Sequence, residues 1–305
     1  MKRFGLIGHP IARSLSPGLF KAAYDGRYPY ELIQGEDFEV SYRRFLDGYD
    51  GINVTAPFKE LAYAKADIVS DECHLAKATN LLIKTSEGIK AYNSDFLGVR
   101  LWLQETLSQL SDAVTVAGKR ATPLAAGGGA HEVGGVLSET VTASDSTTGK
   151  HACVLVVGCG GAGKAAAAAA VSLGLETVLI NRNMDRAVQL QENLAEMGHE
   201  TAVRAISDFR TCFAEADIII YNIPSAIDEI ETLTDSDFGA GRPKHILEAN
   251  YKDPSFDSAF IRKMQKANPE ATYTGGRTWL LYQAVTGYEI FTGEKPDLKK
   301  MSDVL

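Results

Sequence analysis

Residues 153–170 read CVLVVGCGGAGKAAAAAA, and the fold turns on this stretch. Cys153 to Val157 is a short apolar run of strand formers, and Gly158-Cys159-Gly160-Gly161-Ala162-Gly163 is a G-x-G-x-x-G turn. Lys164 to Leu173 then has a helical pattern. A strand before and a helix after are the context that makes the glycines meaningful. Gly158 permits the tight turn, Gly160 lets a pyrophosphate approach the backbone, and Gly163 lets helix pack closely on sheet. The helix start adds free N–H groups and a partial positive charge, so the turn reads as a dinucleotide site. The run Ala165 to Ala170 agrees, because small residues let the helix lie close to the strands.

Toward the C-terminus the strand patterns Thr177–Ile180, Ala202–Ala205, Asp217–Tyr221, His245–Ala249 and Thr272–Thr274 alternate with helical segments. Such alternation predicts a parallel, doubly wound sheet. The tip of its second strand is Asn181-Arg182-Asn183, with Arg186 following. An NAD enzyme usually places a carboxylate there, whereas Arg182 and Arg186 suit the 2′-phosphate of NADP. The competing reading is a solvated helix face on which the arginines pair with Asp185 or Gln189. The amphipathic stretch Thr278–Phe291 and the tail to Leu305 come after this sheet and are expected to pack back on the first part of the chain, closing a cleft.

Toward the N-terminus, Phe4–Ile7 and Tyr30–Ile33 read as strands around a helix from Ser16-Pro17 to Tyr24. Gly51–Thr55 is a further strand, followed by a helix with Pro57 at its start that runs to about Ala66. Leu81–Lys84 and Ile89–Tyr92 form a hairpin, and Asn93-Ser94-Asp95 has the residue types of a helix cap before Phe96–Leu110. The predicted class is α/β: an N-terminal α/β domain over 1–110, completed by helices in 276–305, and a Rossmann-type doubly wound domain over 151–275, with the cleft between them. Residues 111–150, rich in Gly, Ala, Ser and Thr, form an insertion or linker, either a surface excursion or a lid; alternation at Val114, Val116 and Val136–Val141 allows short hairpins.

Composition narrows the partners. With 305 residues, 45% hydrophobic and 23% charged, the chain is ordinary globular material with room for two cores. A net charge of −8 makes nucleic acid and anionic membranes poor partners and leaves a small molecule. Cys73, Cys153, Cys159 and Cys212 have no metal-binding or disulfide-framework spacing, so neither metal nor disulfide is expected. No apolar run reaches the roughly 18 residues of a membrane span and no secretory leader is evident, which gives a cytoplasmic expectation.

Three further motifs carry chemistry. Asn53-Val54-Thr55-Ala56-Pro57-Phe58-Lys59-Glu60 puts a lysine at a strand-to-helix turn, projecting into the cleft as a group suited to proton transfer or else lying solvated at a helix end. Asp95 either caps its helix or holds that lysine and orients a substrate hydroxyl. Ser14 and Ser16, two residues apart before a Pro-started helix, offer a small-carboxylate receptor, with Ser16 also a natural N-cap.

Taken together, SLSP (Ser14–Pro17), NVTAPFKE (Asn53–Glu60), ATN ending at Asn80, YNSD (Tyr92–Asp95), the GCGGAG turn, NRN with Arg186, and GRTWLLYQ (Gly276–Gln283) resemble the shikimate dehydrogenase family over nearly the whole chain. The resemblance implies reversible reduction of 3-dehydroshikimate to shikimate with NADPH, a step of aromatic amino acid biosynthesis, by a monomer or homodimer. It implies Lys59 and Asp95 as the catalytic pair, Ser14, Ser16 and Tyr251 at the substrate carboxylate, and Thr55, Asn80, Asp95 and Gln283 at the ring hydroxyls. Cofactor contacts implied are Gly158, Gly160, Gly161, Ala162, Gly163, Asn181, Arg182, Asn183, Arg186 and Gly276. Hydride transfer needs a near-attack distance of roughly 3 to 3.5 Å, which makes domain closure an expected part of the cycle. The chain departs from the family pattern at Phe20, Phe96, Glu248 and Trp279-Leu280, none of which removes a catalytic group. The alternatives are a quinate/shikimate dehydrogenase and a non-catalytic NADP-binding sensor; a sensor would be expected to have lost Lys59 or Asp95.

Overall fold

The structure, a computed structural model, describes residues 1–117 and 152–305. Its first sheet takes β1 (Phe4–Gly8), β2 (Tyr30–Gln34), β3 (Gly51–Val54), β4 (Ile68–Val69), β5 (Leu81–Thr85) and β6 (Gly88–Tyr92), in the order β2-β1-β3-β5-β6-β4. β1 runs parallel to β2 and β3, and all five of its residues are buried, as a strand covered on both faces requires. β5 and β6 form the expected antiparallel hairpin, closing at Thr85↔Gly88. The connecting helices are α1 (Ser16–Ala23), α2 (Phe38–Gly48), α3 (Lys59–Ala64), α4 (Asp71–Ala76) and α5 (Ser94–Ala117).

The second sheet is wholly parallel, in the order β12-β11-β10-β7-β8-β9. Its strands are β7 (Cys153–Val157), β8 (Glu176–Ile180), β9 (Ala202–Arg204), β10 (Ile218–Tyr221), β11 (Lys244–Glu248) and β12 (Ala271–Thr274). The helices around and beyond it are α6 (Gly161–Ser172), α7 (Met184–Ala195), α8 (Phe209–Glu215), α9 (Ser258–Ala267), α10 (Gly276–Thr292) and α11 (Leu298–Ser302). The strand order reverses between β7 and β10, the place where doubly wound sheets bind ligands.

α10 leaves the second sheet and crosses α5 in the first part of the chain. Glycines permit the close crossing: a Cβ on Gly98 would stand 2.8 Å from the Gln283 nitrogen, and one on Gly287 would stand 3.0 Å from Ser94 Oγ. α6 is buried on more than its sheet-facing side. Ala165 to Ala170 are all fully buried, in one apolar cluster that joins Val154, Val156 and Leu179 to Ala76, Phe96, Val99, Trp102 and Leu103. The alanine run therefore lets α6 fit between its own sheet and the helices α4 and α5.

Several boundaries differ from the sequence reading. α3 starts at Lys59 rather than Pro57 and ends at Ala64. α5 continues to Ala117, so Val114 and Val116 belong to a helix and not to a hairpin; Val136–Val141 lies outside the described residues. α2 was not expected, although its signal is legible: Asp37 accepts from the Val40 N–H as N-cap, and Phe38, Tyr42 and Phe45 share a buried face. The short β4 and α4 also passed unread. Among the described residues no helix is long and apolar enough to cross a membrane.

Candidate active site

At the switch point the Gly158–Gly163 turn follows β7. Gly158 has φ +96°, a left-handed conformation that glycine adopts without steric cost. A Cβ on Gly163 would stand 1.7 Å from the Gly158 carbonyl oxygen, so the turn's own backbone demands glycine there. A Cβ on Gly160 would meet nothing within 4 Å, which leaves that backbone open to a ligand. Gly160 is the N-cap of α6 and no side chain caps this helix start, so its first N–H groups can serve an anion. Burial pushes the Cys159 thiol up to about 12, so this cysteine is a protonated packing residue.

The Cys159 N–H donates to Asn181 Oδ1 at 3.1 Å, and Asn181 Nδ2 donates to the Asn183 carbonyl at 2.7 Å, tying the glycine turn to the tip of β8. Asn183 caps α7 by accepting from the N–H groups of Asp185 and Arg186 at 3.0 and 3.4 Å. Arg182 and Arg186 stay exposed. Neither guanidinium forms a hydrogen bond or ion pair among the described residues, so the two arginines are solvated, as the competing reading had it, but without its pairing to Asp185 or Gln189. Gln189 instead reaches Asn193, at 3.5 Å. Asn222, just past β10, lies beside the turn, and its Oδ1 is buried without a partner. An open backbone, an orphaned acceptor and two unpaired cations fit a phosphorylated dinucleotide.

Across the cleft lies a cavity of about 230 Å³. Lys59, Asp95, Ser14, Ser16, Thr55, Asn80, Tyr251 and Gln283 all line it, together with Ala162 and Gly276. Gly158, Gly160, Gly161, Gly163, Asn181, Arg182, Asn183 and Arg186 stand outside it, around the glycine turn. The two groups meet at Gly161, where an added Cβ would stand 2.8 Å from Lys59 Cδ. Beside this contact, Lys164 Nζ of α6 donates to Glu60 Oε1 of α3 at 2.7 Å.

Lys59 Nζ donates to Asp95 Oδ2, and the two side chains are only 14% and 11% exposed. Asp95 is free for this contact because Asn93, not Asp95, caps α5, accepting from the Phe96 N–H at 3.0 Å. Thr55 fits against β1 because Gly8 has no Cβ; one there would stand 2.3 Å from Thr55 Cγ2. Leu15 rather than Ser16 is the N-cap of α1. The Ser16 hydroxyl instead lies 3.2 Å from Ser14 Oγ, so both hydroxyls remain at the cavity. Burial pushes the Tyr251 hydroxyl above its ordinary range, with the backbone of Leu15 opposing the shift. That contact brings a residue following β11 beside Leu15, the cap residue between Ser14 and Ser16.

Among the lining residues without a role in the sequence reading are Asn53, Lys252 and Trp279. Asn53 is buried, accepting from the Tyr30 hydroxyl at 2.8 Å and donating to the Asn80 carbonyl at 3.3 Å; its place at the head of NVTAPFKE was the available signal. Lys252 brings a second ammonium to the wall, 5.7 Å from the centre of the Tyr251 ring, and nothing local in the sequence marks it. Trp279, read only as a departure from the family pattern, is buried against the same space.

A glycine turn at the switch point of a parallel sheet, facing a lysine–carboxylate pair across a cleft, defines the class as a two-domain, dinucleotide-dependent dehydrogenase. Residues 6–82 match the family model described as shikimate dehydrogenase substrate binding domain, and residues 141–234 match that described as shikimate / quinate 5-dehydrogenase. The shikimate dehydrogenase (NADP(+)) of Acinetobacter baumannii (strain AYE) is 27% identical over 98% of this chain and 98% of its own. Quinate dehydrogenase from Corynebacterium glutamicum, solved in complex with NAD, has the same fold with a TM-score of 0.73, at 20% identity over 99% of this chain and 98% of that one. Shikimate 5-dehydrogenase from Thermus thermophilus, solved with NADP(H) and shikimate, has a TM-score of 0.68, at 22% identity over 100% of this chain and 98% of that one. The chain belongs to the shikimate dehydrogenase family.

Proposed function

We propose that the protein catalyses the reversible NADPH-dependent reduction of 3-dehydroshikimate to shikimate, a step of aromatic amino acid biosynthesis, with residues 1–110 and 276–305 holding the substrate and 151–275 the dinucleotide. The observation that carries this reading is the contact between Lys59 Nζ and Asp95 Oδ2, largely shielded from solvent and placed where the substrate cavity meets the glycine turn. An ammonium has three hydrogens and an ionised carboxylate only accepts, so Asp95 fixes one hydrogen of Lys59 and leaves the others for a substrate oxygen.

Ser14, Ser16 and Tyr251 supply hydroxyls for the substrate carboxylate, and Thr55, Asn80 and Gln283 stand along the wall that would face its ring hydroxyls. NADPH, held along Gly158–Gly163 with Arg182 and Arg186 on its 2′-phosphate, supplies the hydride when bound. As charge builds on the carbonyl oxygen, Lys59 stabilises it and gives up a proton, becoming a neutral amine; in the oxidising direction the neutral amine takes the proton back. The same reading makes the protein cytoplasmic, a monomer or homodimer, with small molecules as its ligands. Incubating the purified chain with 3-dehydroshikimate and NADPH and identifying the product by chromatography tests it. Shikimate formed in step with NADPH loss is expected; NADPH loss without shikimate contradicts the substrate.

A further inference from the structure

Two side-chain amides of the substrate wall, those of Asn80 and Gln283, are not free to choose which end they present. The Ser94 backbone N–H, which can only donate, reaches Asn80 Oδ1 at 2.7 Å. This fixes the Asn80 amide with its Nδ2 turned the other way, 3.0 Å from Ser94 Oγ and 3.4 Å from Gln283 Oε1. An NH2 group at Gln283 facing Asn80 Nδ2 would set donor against donor, so Gln283 turns its carbonyl oxygen inward. Ser94 Oγ accepts from Asn80 Nδ2 and lies 3.2 Å from both Gln283 Oε1 and Asn80 Oδ1, so its one proton can serve either oxygen and both face the same hydroxyl. Ser94 is fully buried and Asn80 nearly so, which raises the cost of leaving these groups unpaired. Gln283 Nε2 has no partner among the described residues, and Gln283 lines the cavity.

We propose that Ser94 is a positioning residue: through Asn80 and Gln283 it holds the Gln283 amide so that its N–H, never its carbonyl, meets the substrate. The Gln283 wall then acts as a donor and selects a ligand with an acceptor oxygen at that point. The inference rests on the reading of this cleft as the shikimate site. Gly98 and Gly287 serve the same end, because the close crossing of α5 and α10 is what brings Gln283 over Ser94.

A double-mutant cycle tests it, with KM and kcat for shikimate measured in the unmutated chain, Ser94→Ala, Gln283→Ala and the double variant, and thermal melting as the check on folding. Ser94→Ala is expected to raise the KM for shikimate about tenfold, the scale of one lost or misdirected hydrogen bond, with kcat and the KM for NADP within about twofold. Ser94→Thr, which keeps the hydroxyl, is expected to restore most of the loss. In the Gln283→Ala background the Ser94→Ala effect is expected to shrink to less than about twofold. An undiminished effect in that background, or a melting loss with KM unchanged, overturns the proposal while the reading of the site stands. No shikimate turnover by the unmutated chain overturns both.

Discussion

At the scale of single residues, the proposed reaction rests on the Lys59 ammonium, held by the Asp95 carboxylate. Lys59→Ala removes the proton donor and leaves the glycine turn untouched, so turnover is expected to fall at least ~10²-fold, the low end of a general-acid contribution. NADPH binding, followed by its fluorescence, is expected to stay near normal. Retained turnover in a folded variant would take Lys59 out of the mechanism. Arg182→Ala is expected to weaken NADP much more than NAD, since the exposed guanidinium has no partner to lose among the described residues. Equal losses with the two cofactors would move the 2′-phosphate site elsewhere. Lys59 and Asp95 were legible because each sits in a local motif. That Asn93 caps α5 was not, because Asn93, Ser94 and Asp95 are all capping types and only the packed helix start chooses between them. Orientation of the Gln283 amide was out of reach, since it depends on Ser94 and Asn80, far from it in the chain.

At the scale of elements, the β7–turn–α6 unit was the most legible part of the molecule, because its glycines answer to backbone geometry inside one short stretch. Gly163→Ala places a Cβ 1.7 Å from the Gly158 oxygen, so the turn must open. Calorimetric titration is expected to show NADPH affinity reduced by about tenfold or more, since the backbone that approaches the pyrophosphate has moved. Unchanged affinity would mean that the turn does not hold the dinucleotide. The alanine run was half understood: the sequence tied it to the strands of its own sheet, whereas the structure also presses it against α4 and α5. That second partner follows from tertiary arrangement, which no periodicity within α6 records. α2 went unread for a different reason, as its period and cap were present but lay between two strands already assigned.

At the scale of the whole molecule, the parts proposed to hold substrate and dinucleotide share an apolar cluster in which Phe96, Val99, Trp102 and Leu103 pack with Ala165–Ala170. The ion pair of Lys164 with Glu60 and the near-contact of Lys59 with Gly161 lie at the cleft end of the same interface. A large apolar interface restrains hinge motion, so the closure expected from the sequence alone should be small. X-ray scattering is expected to give the same radius of gyration with and without NADPH and shikimate, within error; a clear contraction would contradict a restrained joint. The central claim is the identity of substrate and cofactor together. The most direct test follows absorbance at 340 nm while shikimate and quinate are each offered with NADP and with NAD. The account predicts the fastest turnover with shikimate and NADP. Turnover fastest with quinate or with NAD, or none with any pair in a protein that binds NADPH, would contradict it.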